Sequence, residues 1–140
     1  MSKRQALVEQ LIRHEGLCLF PYVDTVGKWT IGVGRNLTDR GISRATADQM
    51  LNEDIDLAIK DLVGKYPWFP GLDPVRQSVL VNMTFNLGLT RLGAFTQTLG
   101  AIERGDYFRA SELMLLSTWA AQVGSRATRL SRQMRSGEWA

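Results

Sequence analysis

The stretch RHEGLCLFPYVDTVGKWTIGVGRNL, residues 13–37, changes character twice. It opens as the end of a helical pattern that stops at Glu15-Gly16. It becomes β-prone through Leu19, Phe20, Tyr22 and Val23. It turns at Asp24-Thr25-Val26-Gly27 and returns through Trp29, Thr30, Ile31 and Val33. Gly27, Gly32 and Gly34 fall where a tight turn or a close backbone approach is expected. The pattern predicts a helix running into a hairpin, with three polar side chains around it: Glu15 at the entry, Asp24 at the turn and Thr30 on the return strand.

On the N-terminal side, Ser2 can cap a helix over about residues 3–13, with Ala6, Leu7, Leu11 and Ile12 at helical spacing and Gly16 as its stop. Glu15 then falls just past the helix end, where the dipole is negative and disfavours a carboxylate. That suits a group that must hold a proton. His14, the one histidine, reads as a helix-end residue. On the C-terminal side, residues 36–43 read as a loop. Ser43 then caps a long helix over about 44–63. Ala47, Met50, Leu51, Ile55, Ala58, Ile59 and Leu62 form an apolar core stripe along it, and Gly64 ends it.

Beyond the Pro/Gly/aromatic loop KYPWFPGLDP, the pair Asp73-Pro74 is a helix start. The helix runs through VRQSVLVNMTFNL with Val75, Val79, Leu80, Met83 and Leu87 buried, and Gly88 closes it. Two more helices are expected over 95–103 and 107–116, broken by Arg104-Gly105-Asp106. A last one is capped by Ser125 and ended by Gly137. Arg126, Arg129, Arg132 and Arg135 step by three, which drifts about 60° each time, so they spread over a broad face, and Arg129, Arg132 and Arg135 read as solvated.

The chain has 140 residues, enough for one compact unit with a core, with room for two lobes. Its single cysteine, Cys18, excludes an internal disulfide and is expected to be buried as a small apolar side chain. One His and one Cys do not make a zinc site. No segment has the length of a membrane span, and the first residues lack the apolar region of a secretion signal, so synthesis in a cytoplasm is expected. A net charge of +3 favours approach to anionic surfaces, without the asymmetry of a nucleic-acid binder.

Two carboxyls on separate elements can face each other across a cleft, one giving a proton and one directing water, as glycoside hydrolysis requires. Taken alone, an Asp in a turn more often bonds its own backbone. The run EGLCLFPYVDTVGKWTIGVGRNL resembles the active-site segment of the T-even type bacteriophage lysozymes, glycoside hydrolase family 24: Glu-Gly, an aromatic, Asp-Thr, Gly, then Thr-Ile-Gly-x-Gly. Glu15, Asp24 and Thr30 stand at that family's catalytic positions. The closing segment, with Trp119, Gln122, Arg126-Ala127 and Gly137-Glu138-Trp139, is also similar.

The resemblance implies an α+β, mainly α, lysozyme-like fold of two lobes. A small hairpin lobe, about 14–58, joins through the long helix to a helical lobe, about 1–13 plus 59–140. It implies a muramidase that cleaves the β-1,4 bond between N-acetylmuramic acid and N-acetylglucosamine in peptidoglycan. Inversion is expected, with carboxyls roughly 6.5–9.5 Å apart, and no cofactor. Arg126 matches an arginine that orients the catalytic Glu. Asn36, Phe85 and Thr98 match substrate contacts, with Leu113 at a further contact position.

Where the family has a His paired with an Asp on the long helix, this chain has Arg35 and Asp54. That predicts an ion pair that persists above neutral pH. The segment before the long helix is shorter than in well-known members, so two or three short strands are expected. A monomer acting on the cell wall after release by a holin is the implied setting, as a phage endolysin, a tail-borne module or a prophage copy. The competing readings are a lytic transglycosylase, which needs one Glu and no water, a non-catalytic wall-binding domain and a basic helical nucleic-acid binder.

Overall fold

The computed structural model describes residues 2–140. The architecture is α+β and mainly α, with one small antiparallel sheet. The chain divides into two compact units, one ending at Met50 and one over Leu51–Ala140, with the boundary inside a long helix. Residues 3–13, given by the sequence reading to the helical lobe, group with the first unit in this division.

In the first unit, helix α1 (Lys3–Glu15) starts on a capping box: Ser2 Oγ accepts from the Gln5 N–H, and the Gln5 side chain accepts from the Ser2 N–H. The helix reaches two residues further than the apolar spacing suggests, so Glu15 is its last residue and Gly16, at φ +80, turns the chain out. None of its residues is buried. Strands β1 (Cys18–Val23), β2 (Trp29–Gly32) and β3 (Arg35–Asn36) form the sheet in that order. Tyr22 faces Thr30, and Thr30 faces Asn36 on the other side. Between Cys18 and Tyr22 the β1 register slips, where Pro21 has no N–H to give the ladder.

Four local expectations are corrected in the first unit and along the long helix. Cys18 is exposed, because it pairs with Gly32, which offers no side chain to cover it. The expected loop holds a short helix, α2 (Leu37–Arg40), whose cap is Asn36: its Oδ1 accepts from the Asp39 N–H. Helix α3 (Arg44–Lys65) begins at Ser43, whose Oγ accepts from the Thr46 N–H, but runs through Gly64. An interior glycine costs only about 1 kcal/mol relative to alanine, and the helix closes a residue later with the Tyr66 N–H on the Leu62 carbonyl. Of the apolar stripe only Ala58 and Leu62 are buried, while Met50, Leu51 and Ile59 are exposed.

The second unit holds the core. After a 3-10 turn at Phe69–Gly71, helix α4 (Pro74–Leu87) starts on Asp73 and ends at Gly88, and all five apolar positions expected to be buried are. A short helix, α5 (Leu89–Leu92), follows. Helices α6 (Thr96–Glu103) and α7 (Tyr107–Leu116) fall where the spacing puts them. The last segment is two helices, α8 (Thr118–Val123), capped by Ser117, and α9 (Ser125–Ser136). Ser125 is not the cap of α9. Gly124, at φ +60, makes the sharp turn between the two helices, and Ser125 is already helical. Helix α7 packs on α6 and α9, and α9 also packs on α4. Buried Leu62, Phe69, Leu80, Met83, Ile102, Met114 and Met134 fill the space between, each contributing roughly 1.5–3 kcal/mol.

Candidate active site

Asp24 is fixed by its own turn. Its N–H donates to the Lys28 carbonyl (2.8 Å) and its carbonyl accepts from the Gly27 N–H (3.1 Å). Its Oδ1 accepts from the Val26 N–H (2.9 Å) and the Lys28 N–H (2.8 Å). Gly27, at φ +84, supplies the left-handed step that a hairpin turn of this length needs. Two amides therefore hold one carboxylate oxygen, and Oδ2 has no hydrogen-bond partner among the described residues. Asp24 lies one residue past β1, in the turn, and Thr30 stands two residues beyond Lys28 on β2. Thr30 is 4% exposed, and its hydroxyl donates to the Lys28 carbonyl (3.0 Å). The turn thus orders both groups through a single residue, Lys28.

Glu15 approaches the same strand from its other end. A Cβ on Gly34, which follows β2 at φ +68, would lie 3.2 Å from Glu15 Oε2. The carboxyl therefore occupies the space that the missing side chain leaves. Among the described residues of the first unit no hydrogen bond or ion pair engages it, and it is exposed. His14 beside it is exposed.

Asn36 belongs to this face but is already engaged. Besides capping α2, its Nδ2 donates to Asp39 Oδ2 (2.9 Å), and Lys28 Nζ lies 3.2 Å from Asp39 Oδ1. The Asn36 amide first, and then the Lys28 ammonium, hold the Asp39 carboxyl below its ordinary range. The Trp29 N–H donates to Thr38 Oγ1 (2.8 Å), which ties β2 to α2.

In the second unit, Arg126 is gripped by Asn82: Nε and Nη2 both donate to Asn82 Oδ1 (2.9 and 2.6 Å), and Nη2 also donates to the Asn82 carbonyl (3.2 Å). Asn82 carried no signal in the sequence, because its partner lies 44 residues away. Arg126 and Phe85 line one hollow of about 240 Å³, and Phe85 and Asp54 line another of about 280 Å³. Thr98 and Leu113 line a third, of about 350 Å³. Arg129, Arg132 and Arg135 are exposed, with the Arg135 guanidinium 4.3 Å from the Phe108 ring centroid. The structure thus gathers Glu15, Asp24, Thr30 and Asn36 around β2 in one unit. It gathers Arg126 with Phe85, Asp54 with Phe85, and Thr98 with Leu113 in the other. Arg35 and Asp54 belong to different units. Among the described residues there is no group of three His, Cys, Asp or Glu that could hold a metal ion, and no helix is long and apolar enough to cross a membrane.

A family model described as phage lysozyme matches residues 12–136. The chain is similar to two proteins of Dictyostelium discoideum. Probable T4-type lysozyme 1 is 24% identical, with 94% of this chain and 95% of the relative covered. Probable T4-type lysozyme 2 is 25% identical, with 89% and 91% covered. A further relative is the pre-baseplate central spike protein Gp5 of Enterobacteria phage T4, 28% identical over 93% of this chain but only 28% of the spike protein. The alignment with the first relative runs over 161 positions, longer than this chain, so that relative carries insertions this chain lacks.

Proposed function

Because the chain belongs to the phage lysozyme family, and so to the glycoside hydrolases, we propose that it hydrolyses the β-1,4 bond between N-acetylmuramic acid and N-acetylglucosamine in peptidoglycan, with inversion. The observation that carries the reading is the state of Asp24: one oxygen held by two amides, the other free, with Thr30 tied to the same Lys28. The Thr30 proton is committed to the Lys28 carbonyl, so toward a water its oxygen acts as an acceptor. Asp24 Oδ2 is a second acceptor. A water that gives one proton to each presents its lone pair to the anomeric carbon. As that oxygen attacks, Asp24 takes a proton, the glycosidic C–O bond breaks, and Glu15 gives its proton to the leaving oxygen. One water is consumed and a reducing end is formed.

The same reading assigns Arg126 to orienting Glu15, Arg35 to an ion pair with Asp54, and Asn36, Phe85 and Thr98 to sugar contacts. Asn82 fixes the Arg126 guanidinium within its own unit. A turbidity assay on purified peptidoglycan tests the core of the proposal. Glu15→Gln and Asp24→Asn should each lose about 10²–10⁴-fold in rate, and the products should carry reducing ends of inverted configuration. Anhydromuramic ends would replace this mechanism with that of a transglycosylase, and undiminished lysis by Glu15→Gln would make the domain something other than the hydrolase described.

For delivery we propose synthesis in the host cytoplasm and release to the wall through a holin, as a monomer. The likeness to a spike protein, of which this chain covers about a quarter, supports a second setting, a module within a phage tail. Co-purification with virions and lysis from outside would favour the tail. Activity confined to lysates formed after holin triggering would favour the endolysin.

A further inference from the structure

The second unit holds a hollow of about 280 Å³ that none of the assignments above uses. One wall is an aromatic corner, the Tyr66 and Trp68 rings, with centroids 5.2 Å apart and planes tilted by 38°. The turn after α3 holds the corner in place: the Phe69 N–H donates to the Tyr66 carbonyl (2.9 Å) and the Gly71 N–H to the Trp68 carbonyl (3.1 Å). The Tyr66 hydroxyl is buried, so its ring is what meets the hollow. Four of the lining residues carry polar groups: the Lys65 ammonium, the Trp68 indole N–H, the Thr96 hydroxyl and the Glu103 carboxylate. Among the described residues none of the four has a hydrogen-bond or ion-pair partner. The Lys65 ammonium lies 5.7 Å from the Tyr66 ring centroid and against Gly93, where a Cβ would come within 2.6 Å of it.

The hollow is separate from the one assigned to sugar contacts. Thr96, Leu99, Gly100 and Glu103 follow one another at helical spacing and share one face of α6. Thr98 stands about 200° around the helix from Thr96 and lines the other hollow with Leu113. Only Thr96 is common to both. The chemistry of the lining narrows the ligand. One positive and one negative group cancel, so the hollow selects no ion. Two N–H donors, a carboxylate acceptor and a hydroxyl that does both suit a neutral ligand that gives and takes hydrogen bonds at once. Tilted aromatic rings suit an apolar C–H face. A pyranose ring combines the two. The volume lies at the low end of the roughly 300–1,000 Å³ of ligand pockets, which is room for one ring and not for a strand.

We propose that this hollow is a second glycan-binding site, which holds one N-acetylhexosamine ring of a peptidoglycan strand through residues that take no part in cutting it. The identity of the sugar rests on the muramidase reading; the match of rings and hydrogen-bonding groups to a saccharide does not. Trp68 stacks on the C–H face of the ring, and Lys65, Thr96 and Glu103 take its hydroxyls. A second hold keeps the enzyme on an insoluble wall between cuts, by raising the effective concentration of glycan and not by touching the chemistry.

Nuclear magnetic resonance on the full, isotope-labelled chain tests it, with Glu15→Gln as background so that the sugar stays intact. On titration with N,N′-diacetylchitobiose, the Trp68 indole signal, identified by its loss in Trp68→Phe, should move and saturate in the millimolar range. The amide signals of Gly100 and Glu103 should move with it. Followed through those amides, Trp68→Ala should weaken binding at least about 10-fold. Glu103→Ala should weaken it about 10-fold, and because Glu103 is exposed this variant carries the test should Trp68→Ala unfold. Signals that stay fixed through the millimolar range, or an affinity unchanged in Glu103→Ala, would overturn the proposal. So would tighter binding of D-alanyl-D-alanine than of the sugar, which would make the hollow a site for a zwitterion. In turnover, the ratio of kcat/KM on intact sacculi to that on soluble glycan fragments should fall in Glu103→Ala, and a constant ratio would remove the anchoring role. A chain that binds the sugar at Trp68 yet cleaves no peptidoglycan would refute the hydrolase reading and leave this site standing.

Discussion

Gly34 has no side chain where Glu15 needs room. Two effects converge there: a φ of +68, which costs an L-residue about 1–2 kcal/mol, and a Cβ position 3.2 Å from Glu15 Oε2. Gly34→Ala should therefore lower the melting temperature and, separately, slow peptidoglycan lysis by displacing the carboxyl. A variant that melts early but turns over at the wild-type rate when cold would show that Glu15 does not need this seat. Asn82→Ala makes a different single-residue test. It removes the acceptor of the Arg126 Nε and Nη2 protons, and a charged donor that loses its partner costs about 1–3 kcal/mol. Chemical denaturation should read that loss. Asn82→Asp, which keeps the acceptor, should recover most of it.

Among the elements, α4 is the best specified, and its start carries a pH signature. Asp73 Oδ2 accepts from the Arg76 N–H (3.1 Å), and its Oδ1 lies 3.0 Å from Arg76 Nη1. Partial burial pushes the carboxyl up, but the Arg76 amide and guanidinium together outweigh it and hold it below its ordinary value. The folded chain therefore favours the ionised form more than the unfolded chain does. The contribution is complete above about pH 4, the unfolded value, and disappears as pH falls through the lower folded value. Asp73→Ala should cost about 1–2 kcal/mol at pH 7, and the gap from wild type should narrow in acid. A gap that stays constant from pH 7 down to pH 2.5 would mean the ionised carboxyl contributes nothing.

This helix was legible because its signals are local: a capping Asp, a Pro at the first turn, a dense apolar run and a terminal glycine. Gly64 carried the same terminal signal and misled, since its neighbours favour the helix by more than one glycine costs it. Helix α2 was hidden for the opposite reason: four residues give no period to read, and only the Asn36 cap marks it. The stripe on α3 shows a further limit. Spacing says which residues share a face but not whether anything covers it. For the site, the hairpin and its Asp24 turn were readable, because turn chemistry acts over four residues. The grips on Arg126 and Trp119 were not, because Asn82 and Asn86 meet them from 44 and 33 positions away.

At the scale of the molecule, burial is unevenly shared. Among the described residues up to Met50 only Thr30 is buried, whereas the unit from Leu51 holds the whole apolar core. Few buried contacts mean low local opening energies. Amide hydrogens of residues 2–50 should therefore exchange well before those of α4, α7 and α9, and limited proteolysis should cut first in that segment. Uniform protection across both units would contradict the distribution of the core.

Arg76 has one more consequence. Its Nε and Nη2 donate to the carbonyls of Met134 and Arg135 (2.7 and 3.0 Å), and its guanidinium lies 3.7 Å from the Tyr107 ring centroid. Residue 76 leaves the ribosome long before those acceptors exist, and Ala127, Leu130 and Met134 come late as well. A growing chain must therefore carry an open, unlatched bundle until α9 emerges. The unit from Leu51 therefore cannot close until residues 125–136 have been made.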